Sequence, residues 1–216
     1  MAALSQSESH LRYPLSTILG SVGSVRVLRA LVAERSAQSA PQLAVATGLT
    51  PQGVRLVLDT LVRQRLTSTV GAGRIQMYTL NDSHPLASAL VTLFHQEVQR
   101  WDALLDSIRN VLSKRGPAVS AAWLYGSVAR GEDTPTSDLD IAVLVQSQTA
   151  GDQFREDLVS LEDEQHLRIS VTALTATELA ALPEDDPWWR SVVRDGRVLK
   201  GAAPEQKRRR LSTKAA

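Results

Sequence analysis

The chain has 216 residues and a net charge of +1, with 24 Lys and Arg against 23 Asp and Glu, and it contains no cysteine. The absence of cysteine excludes disulfide scaffolds, thiolate zinc sites and thiol nucleophiles, and it agrees with a cytoplasmic location. No apolar run approaches the roughly 18 residues that a membrane span needs, and residues 1–15 lack the basic and apolar regions of a secretion signal. The length predicts one large domain or two small ones.

The near-zero net charge conceals an uneven distribution of charge along the chain. The net charge is +4 over residues 1–100, where every basic residue is Arg, −7 over residues 101–203, and +4 over residues 204–216. Such an asymmetry is typical of separate modules with different partners.

The N-terminal third has the apolar periodicity of three helices followed by a β-hairpin. Thr50 suits an N-cap and Pro51 suits the first position of a helix, while Gly48 suits the left-handed end of the preceding helix. The predicted elements are a helix over 16–35 capped by Ser16, a polar break over 36–40, a helix over 41–47, a helix from Thr50 to about Arg65, and a hairpin of 66–70 and 74–80 joined by Gly71-Ala72-Gly73.

This order of elements resembles a winged helix-turn-helix DNA-binding domain over residues 15–82. The informative positions are Ala44, Gly48 and Thr50-Pro51. In such domains the third helix enters the major groove, and the wing runs beside the DNA backbone or the minor groove. Winged helices also serve as protein-interaction or dimerisation modules, so a homodimer interface is the alternative.

The resemblance implies DNA contacts from the third helix and the wing. Gln52 and Arg55 would face base edges, and Arg63 and Arg74 would face phosphates of double-stranded DNA. The Arg-only basic charge of this part of the chain favours such contacts. An amphipathic stretch over residues 84–115 follows and predicts a connecting helix whose apolar face packs on the next domain.

A strand–loop–strand motif lies in the acidic part of the chain. The apolar run 121–125 ends at Gly126-Ser127, and a polar loop leads to Asp138 and Asp140 at the start of a second apolar run. Glycine lets the backbone approach a phosphate closely. Side chains two apart on a strand leave the same face, and two adjacent carboxylates repel unless a cation lies between them. Mg²⁺ with a nucleoside triphosphate fits this chemistry.

The segment LYGSVARGEDTPTSDLDIAVLV resembles the signature of the minimal nucleotidyltransferases in the DNA polymerase β-like superfamily. The resemblance implies an α+β protein with a C-terminal mixed β-sheet flanked by helices over residues 117–201, and Mg²⁺-dependent transfer of a nucleotidyl group from ATP. The positions that match the signature are Gly126, Ser127, Arg130 and Ser137 for the nucleotide, and Asp138 and Asp140 as metal ligands and catalytic residues. For Arg130, an ion pair with Glu132 or Asp133 is an equally good interpretation.

One part of that signature is missing. Active members of the superfamily usually carry a third carboxylate on a later strand, and the matching strand here is 167–174, where Ser170 occupies the position expected to face the metals. Its neighbours on that face, Arg168 and Thr172, are not acidic either. An acidic residue of the segment 162–164 could reach the site, although a solvated helix surface is the simpler interpretation.

Two hypotheses of function follow. One is an enzyme that transfers AMP to a hydroxyl of a protein, an RNA or a small molecule. The alternative is a DNA-binding transcription regulator whose weakened nucleotidyltransferase domain senses nucleotide, and an autoregulating antitoxin would combine both. Of Trp188 and Trp189, one could stack on a nucleobase, but large aromatic residues more often anchor a core. Residues 202–216 are predicted to be a disordered basic tail.

Overall fold

The computed structural model describes residues 11, 13–71 and 76–215, and the side chains up to residue 211. The chain forms two compact units, and the boundary between them along the sequence lies between residues 99 and 100. Within the described ranges, no helix is both long enough and apolar enough to cross a membrane.

The first unit consists of helices and a small antiparallel sheet. Strand β3 lies between β1 and β2 and is antiparallel to both. The core of the unit contains fully buried leucines from three helices, among them Leu28, Leu43 and Leu58. The elements are α1 (Leu15–Ile18), α2 (Val22–Ala33), β1 (Gln38–Ser39), α3 (Ala40–Thr47), α4 (Pro51–Arg63), β2 (Thr67–Val70), β3 (Met77–Leu80) and the N-terminal part of α5 (Ala87–Lys114).

Local sequence determines where α3 ends and α4 begins, as predicted at Gly48 and Thr50, and it also determines where α3 begins. The Ser39 hydroxyl accepts a hydrogen bond from the backbone N–H of Gln42, which begins α3. Gly48 ends that helix in the left-handed conformation, with φ of 67°. The Thr50 hydroxyl accepts from the N–H of Gly53 at 3.1 Å and so caps α4.

Two predictions for the first unit were wrong. The helix predicted over 16–35 is interrupted, because the backbone turns tightly at Gly20 and Ser21 is extended; Ser21, rather than Ser16, caps α2 by accepting from the N–H of Ser24. The polar break over 36–40 contains β1, whose Gln38 is paired with Tyr78 across a long sequence separation that local pattern does not reveal. Ala72 and Gly73 of the predicted turn lie outside the described residues.

The second unit is a four-stranded mixed sheet flanked by helices, in agreement with the predicted α+β class. The strand order is β6-β5-β4-β7; β5 and β6 are parallel and the other neighbours are antiparallel. The elements are the remainder of α5, β4 (Val119–Tyr125), α6 (Gly126–Arg130), β5 (Leu139–Val145), α7 (Gln148–Gln165), β6 (Ile169–Thr175), α8 (Ala176–Ala181), α9 (Pro187–Asp195), β7 (Arg197–Lys200) and α10 (Pro204–Ala215).

Each face of this sheet has its own core, because side chains alternate along a strand. On one face, Ile141 and neighbouring strand residues pack with Ile108 of α5 and Phe154 of α7. On the other face, Trp123 packs with Trp189 of α9, and the two rings meet edge to face with centroids 5.8 Å apart.

The C-terminal segment differs from its prediction, since much of the expected disordered tail forms α10. The Arg208 guanidinium donates a hydrogen bond to the carbonyl of Leu182, and it lies 6.0 Å from the ring centroid of Trp189. Pro204, at the start of the helix, is buried. Composition alone indicated a solvated tail, whereas its arginine and proline make tertiary contacts.

The buried ring of Phe154 provides a test of the second core. Its side chain is 0% exposed, so Phe154→Ala leaves a cavity and is expected to lower the free energy of unfolding by about 3–5 kcal/mol. Val159→Ala on the same helix is the control, because Val159 is 51% exposed, and its effect is expected to stay within about 0.5 kcal/mol. Urea unfolding followed by tryptophan fluorescence measures both, since all four tryptophans lie beyond residue 100. Equal effects of the two substitutions would contradict the assignment of this core.

Candidate active site

The turn from β4 into α6 brings a glycine against an aspartate. Tyr125, the last residue of β4, is paired with Asp140 of β5 in the antiparallel register. Gly126 follows with φ of +78°, a conformation that side chains rarely adopt, and a β-carbon here would collide with the carboxylate of Asp140. Glycine is therefore required at this position both by the backbone conformation and by the position of Asp140.

Asp138 and Asp140 both lie at the N-terminal end of β5. The strand begins at Leu139, so Asp138 immediately precedes it rather than lying within it. Leu139 and Ile141 belong to the core on the opposite side of the sheet. The two aspartates are half-buried, and alternation places them on the face away from that core. The prediction that their carboxylates share a face agrees with this arrangement.

The electrostatic environment of Asp140 disfavours its charged form. Burial raises the pKa of the Asp140 carboxyl, and repulsion from the Asp138 carboxylate raises this pKa further. A hydrogen bond from Ser170 and the charge of Arg130 act in the opposite direction but do not cancel the increase. The protein alone thus leaves negative charge at this site incompletely compensated.

Ser170 stands where the superfamily pattern has a third carboxylate. Strand β6 runs parallel to β5, and its register pairs Ser170 with Asp140. The carboxylate of Glu162, which lines the same cleft as Asp138, accepts from the backbone N–H of Ile169 at 2.6 Å. Among the described residues, no three His, Cys, Asp or Glu side chains form a group that could hold a metal. The site therefore contains two carboxylates and a hydroxyl rather than three carboxylates.

A cleft of about 660 Å³ adjoins Asp138. It is bordered by Ser137 and by Asp163 and His166 at the end of α7. Sequence reasoning assigned no site to His166, because an isolated histidine gives no local signal and the packing of α7 against the sheet brings it here. The cleft provides space beside Asp138 for a substrate group.

Arg130 is held in ion pairs, as the alternative interpretation proposed. Its guanidinium donates to Glu132 and to Asp195, each at 2.7 Å. Asp195 also accepts from Arg194 at 2.7 Å, and its side chain is only 4% exposed. The hydrogen bond from Arg194, together with that from Arg130, lowers the pKa of Asp195 to about 2 despite its burial. Arg130 thus links the end of α6 to the end of α9.

Other predicted residues have structural contacts or lie elsewhere. The Ser137 hydroxyl accepts from the N–H of Thr134 at 2.9 Å, so it shapes the loop before β5. Trp189 is buried and belongs to a core. Trp188 is half-buried, and its indole N–H donates to the Tyr125 hydroxyl at 3.0 Å. These contacts favour the core interpretation for both tryptophans.

The candidate DNA-binding residues belong to the first compact unit. Gln52, Arg55 and Arg63 are exposed on α4, away from the buried stripe of that helix. Arg63 also donates to the Thr60 hydroxyl at 3.2 Å. Arg74 lies outside the described residues.

Replacing Asp140 by Asn tests the electrostatic description. Because the folded state raises the pKa of this carboxyl above its ordinary value of 3.8, ionised Asp140 destabilises the fold at neutral pH. Asp140→Asn is therefore expected to raise the melting temperature by a few degrees at pH 7 in EDTA. The difference in melting temperature between the variant and the parent protein should vanish as the pH falls below 3.8, because Asp140 is then protonated in both the folded and the unfolded state of the parent protein.

The control for this experiment is Asp133→Asn, which removes an exposed carboxylate from the loop before β5. Its melting temperature is expected to follow that of the parent protein at every pH. Calorimetry of the three proteins from pH 3 to pH 7 makes the comparison. A lower melting temperature for Asp140→Asn than for the parent protein at pH 7 would refute the description.

Comparison with known proteins relates the second unit to one family. Residues 106–185 match the family model described as polymerase beta, nucleotidyltransferase. No curated protein matches the chain. This segment, which includes both aspartates and the glycine turn, is thus similar to nucleotidyltransferases.

Solved structures that match part of this chain are distant in sequence. A toxin-antitoxin structure with AMP-PNP is 22% identical, with 51% of this chain and 86% of that chain covered and a TM-score of 0.37. For the AntR antimony-specific transcriptional repressor, the identity is 21%, the coverage 48% and 90%, and the TM-score 0.38. The tri-AMPylated Shewanella oneidensis HEPN toxin in complex with MNT antitoxin is 20% identical, with 53% of this chain and 85% of that chain covered and a TM-score of 0.34.

Proposed function

We propose that residues 117–201 form a nucleotidyltransferase domain that binds Mg²⁺ and ATP and transfers AMP to a hydroxyl group of an acceptor. The observation that carries the proposal is the close packing of Gly126 on Asp140, which lies two residues after Asp138 at the start of β5. It brings the turn that would receive phosphates together with the two carboxylates. The match of residues 106–185 to the nucleotidyltransferase family model supports this assignment.

The two aspartates fit a magnesium ion. Their carboxylates repel one another, and the raised pKa of Asp140 reflects a site that lacks sufficient positive charge. Carboxylate oxygens are ligands that Mg²⁺ prefers, and it commonly takes its remaining ligands from water and substrate phosphates. Asp138 and Asp140 would hold the ion, which when bound neutralises phosphate charge.

The turn at Gly126 would receive the phosphates of ATP. Gly126 has no side chain to obstruct them, and the half-buried Ser127 brings a hydroxyl to the start of α6. In the transfer, the acceptor oxygen forms a bond to the α-phosphorus, and the bond from that phosphorus to the oxygen bridging to the β-phosphorus breaks. Pyrophosphate leaves, and the proton of the acceptor hydroxyl passes to solvent.

Ser170 limits the rate of this reaction. A hydroxyl does not accept a proton near neutral pH, whereas a carboxylate at the same position can act as a general base. The cleft beside Asp138 offers space for the acceptor, which would be a protein, an RNA or a small molecule. We therefore propose slow turnover that depends on how the acceptor is positioned.

Transfer of label from ATP tests the proposal. With α-³²P-labelled ATP, Mg²⁺ and a lysate as the source of acceptors, the protein is expected to label an acceptor. The double variant Asp138→Ala plus Asp140→Ala is expected to lose at least about 100-fold of this activity, since even the loss of outer partners of a metal site costs 10–100-fold. EDTA should have the same effect.

The matched control is Asp106→Ala plus Asp152→Ala, which removes two exposed carboxylates that pair with arginines on their own helices. This control should retain the labelling activity, because exposed ion pairs contribute little to stability. Equal labelling by the parent protein and the Asp138/Asp140 variant would show that the assignment of the site is wrong.

The second candidate function is DNA-binding regulation by the first unit, with the nucleotidyltransferase domain as a nucleotide sensor. The serine in place of a third carboxylate favours binding over turnover, and α4 presents exposed Gln52 and Arg55. We propose that α4 enters the major groove in the manner of a winged helix-turn-helix protein. A homodimer would bind a palindromic site.

Arg55→Ala tests this second function. If Arg55 contacts a base edge, its loss is expected to weaken specific binding by about 1–3 kcal/mol and to relax sequence preference. Selection from random double-stranded oligonucleotides, followed by fluorescence anisotropy, measures both effects. Arg35→Ala is the control, because Arg35 is exposed outside α4 and pairs with Asp82. Unchanged affinity and preference in Arg55→Ala would exclude the groove contact.

A further inference from the structure

A groove between α9 and α10 is lined by arginines from both helices. Arg190 and Arg194 come from α9, whereas Arg208 and Arg209 come from α10, and the groove has a volume of about 800 Å³. Trp189, whose side chain is 3% exposed, also lines it. The groove exists because the C-terminal segment folds as a helix against α9 rather than remaining a tail.

The lining of this groove carries more positive than negative groups. It contains four guanidinium groups and two carboxylates, those of Glu184 and Glu205. Every cationic residue of the lining is arginine. Such a concentration of one cation type on two facing helices indicates a site for an anion.

Two of the guanidinium groups are held in position by protein contacts. Arg194 donates to Asp195 at 2.7 Å through Nε and at 3.0 Å through Nη2. Arg208 donates to the carbonyl of Leu182 and lies over the ring of Trp189. A guanidinium group fixed in this way loses less conformational entropy when it binds a ligand.

We propose that this groove binds the phosphate backbone of a single-stranded nucleic acid. The planar guanidinium fork matches phosphate oxygens. Arg190 and Arg194 are four residues apart on α9 and therefore neighbour one another along the helix. Together with Arg209 on the facing helix α10, they distribute positive charge along the groove, which suits a chain of repeated negative charges better than one isolated anion.

This site is separate from the proposed ATP chemistry. Neither Asp138 nor Asp140 lines the groove, and phosphate recognition by arginine requires no metal. Asp195 connects the two regions, since it accepts hydrogen bonds from Arg194 beside the groove and from Arg130 after the glycine turn. Binding in EDTA consequently tests the groove, whatever the outcome for nucleotidyl transfer.

The experiment measures binding of a 20-nucleotide oligouridylate to the full chain in EDTA by tryptophan fluorescence. All four tryptophans lie beyond residue 100, and Trp189 lines the groove. The double variant Arg190→Ala plus Arg209→Ala is expected to raise Kd at least tenfold. For this variant, the slope of the logarithm of the binding constant against the logarithm of salt concentration should also become shallower by about 0.7 for each lost phosphate contact.

The matched control is Arg109→Ala plus Arg155→Ala, which removes the same charge from exposed arginines of the same unit. Retention of affinity in this control, with loss in the groove variant, would support the proposal. Circular dichroism confirms that each variant is folded, and Arg55→Ala should leave the fluorescence change intact.

Three results would overturn the proposal. The first is equal weakening in the groove variant and the control, which would indicate only general electrostatic attraction. The second is binding of inorganic polyphosphate without binding of the oligonucleotide. The third is binding of polyglutamate with comparable affinity and the same dependence on Arg190, which would assign the groove to an acidic polypeptide.

Discussion

The close approach of the Gly126 backbone to the carboxylate of Asp140 is the constraint on which the candidate site depends. It arises from the antiparallel pairing of β4 with β5, which aligns Tyr125 with Asp140. Any side chain at residue 126 would enter the space of that carboxylate. The turn at Gly126 and the start of β5 are consequently packed together as a single structural unit.

The same packing explains the electrostatics of the site. Half-buried in the sheet, Asp140 lies close enough to Asp138 for the two charges to repel, and the hydrogen bond from Ser170 relieves this only in part. The fold thus accepts an unfavourable local charge, a common property of sites that bind cations. Stability and function place opposite demands on these two residues.

Much of the second unit could be predicted from its sequence, because the informative signals are local. The motif from Gly126 to Asp140 lies within one strand–turn–strand segment, and alternation along β5 identified which side chains share a face. The resemblance to the nucleotidyltransferase signature also predicted Ser170 at this position, and the parallel register of β6 pairs it with Asp140. In the first unit, Gly48 similarly indicated the end of α3, and Thr50 indicated the start of α4.

The remaining features depend on contacts between distant parts of the chain. Strand β1 forms only through its pairing with β3, and His166 reaches the cleft only because α7 packs on the sheet. The C-terminal segment has the composition of a solvated tail, yet it forms a helix that contacts α8 and α9, and Arg208 of this helix donates to the carbonyl of Leu182. The local sequence pattern does not indicate which distant residues will make such contacts.

The shared carboxylate of Asp195 has a consequence for mutational tolerance. Because two guanidinium groups bind it, loss of either Arg130 or Arg194 still leaves the carboxylate paired with a cation. Either arginine can therefore vary without leaving a buried charge unpaired, whereas an apolar residue at position 195 would remove the acceptor that both arginines share, and Arg130 would keep its ion pair with Glu132. Because of this redundancy, substitutions should be tolerated better at Arg130 and Arg194 than at Asp195.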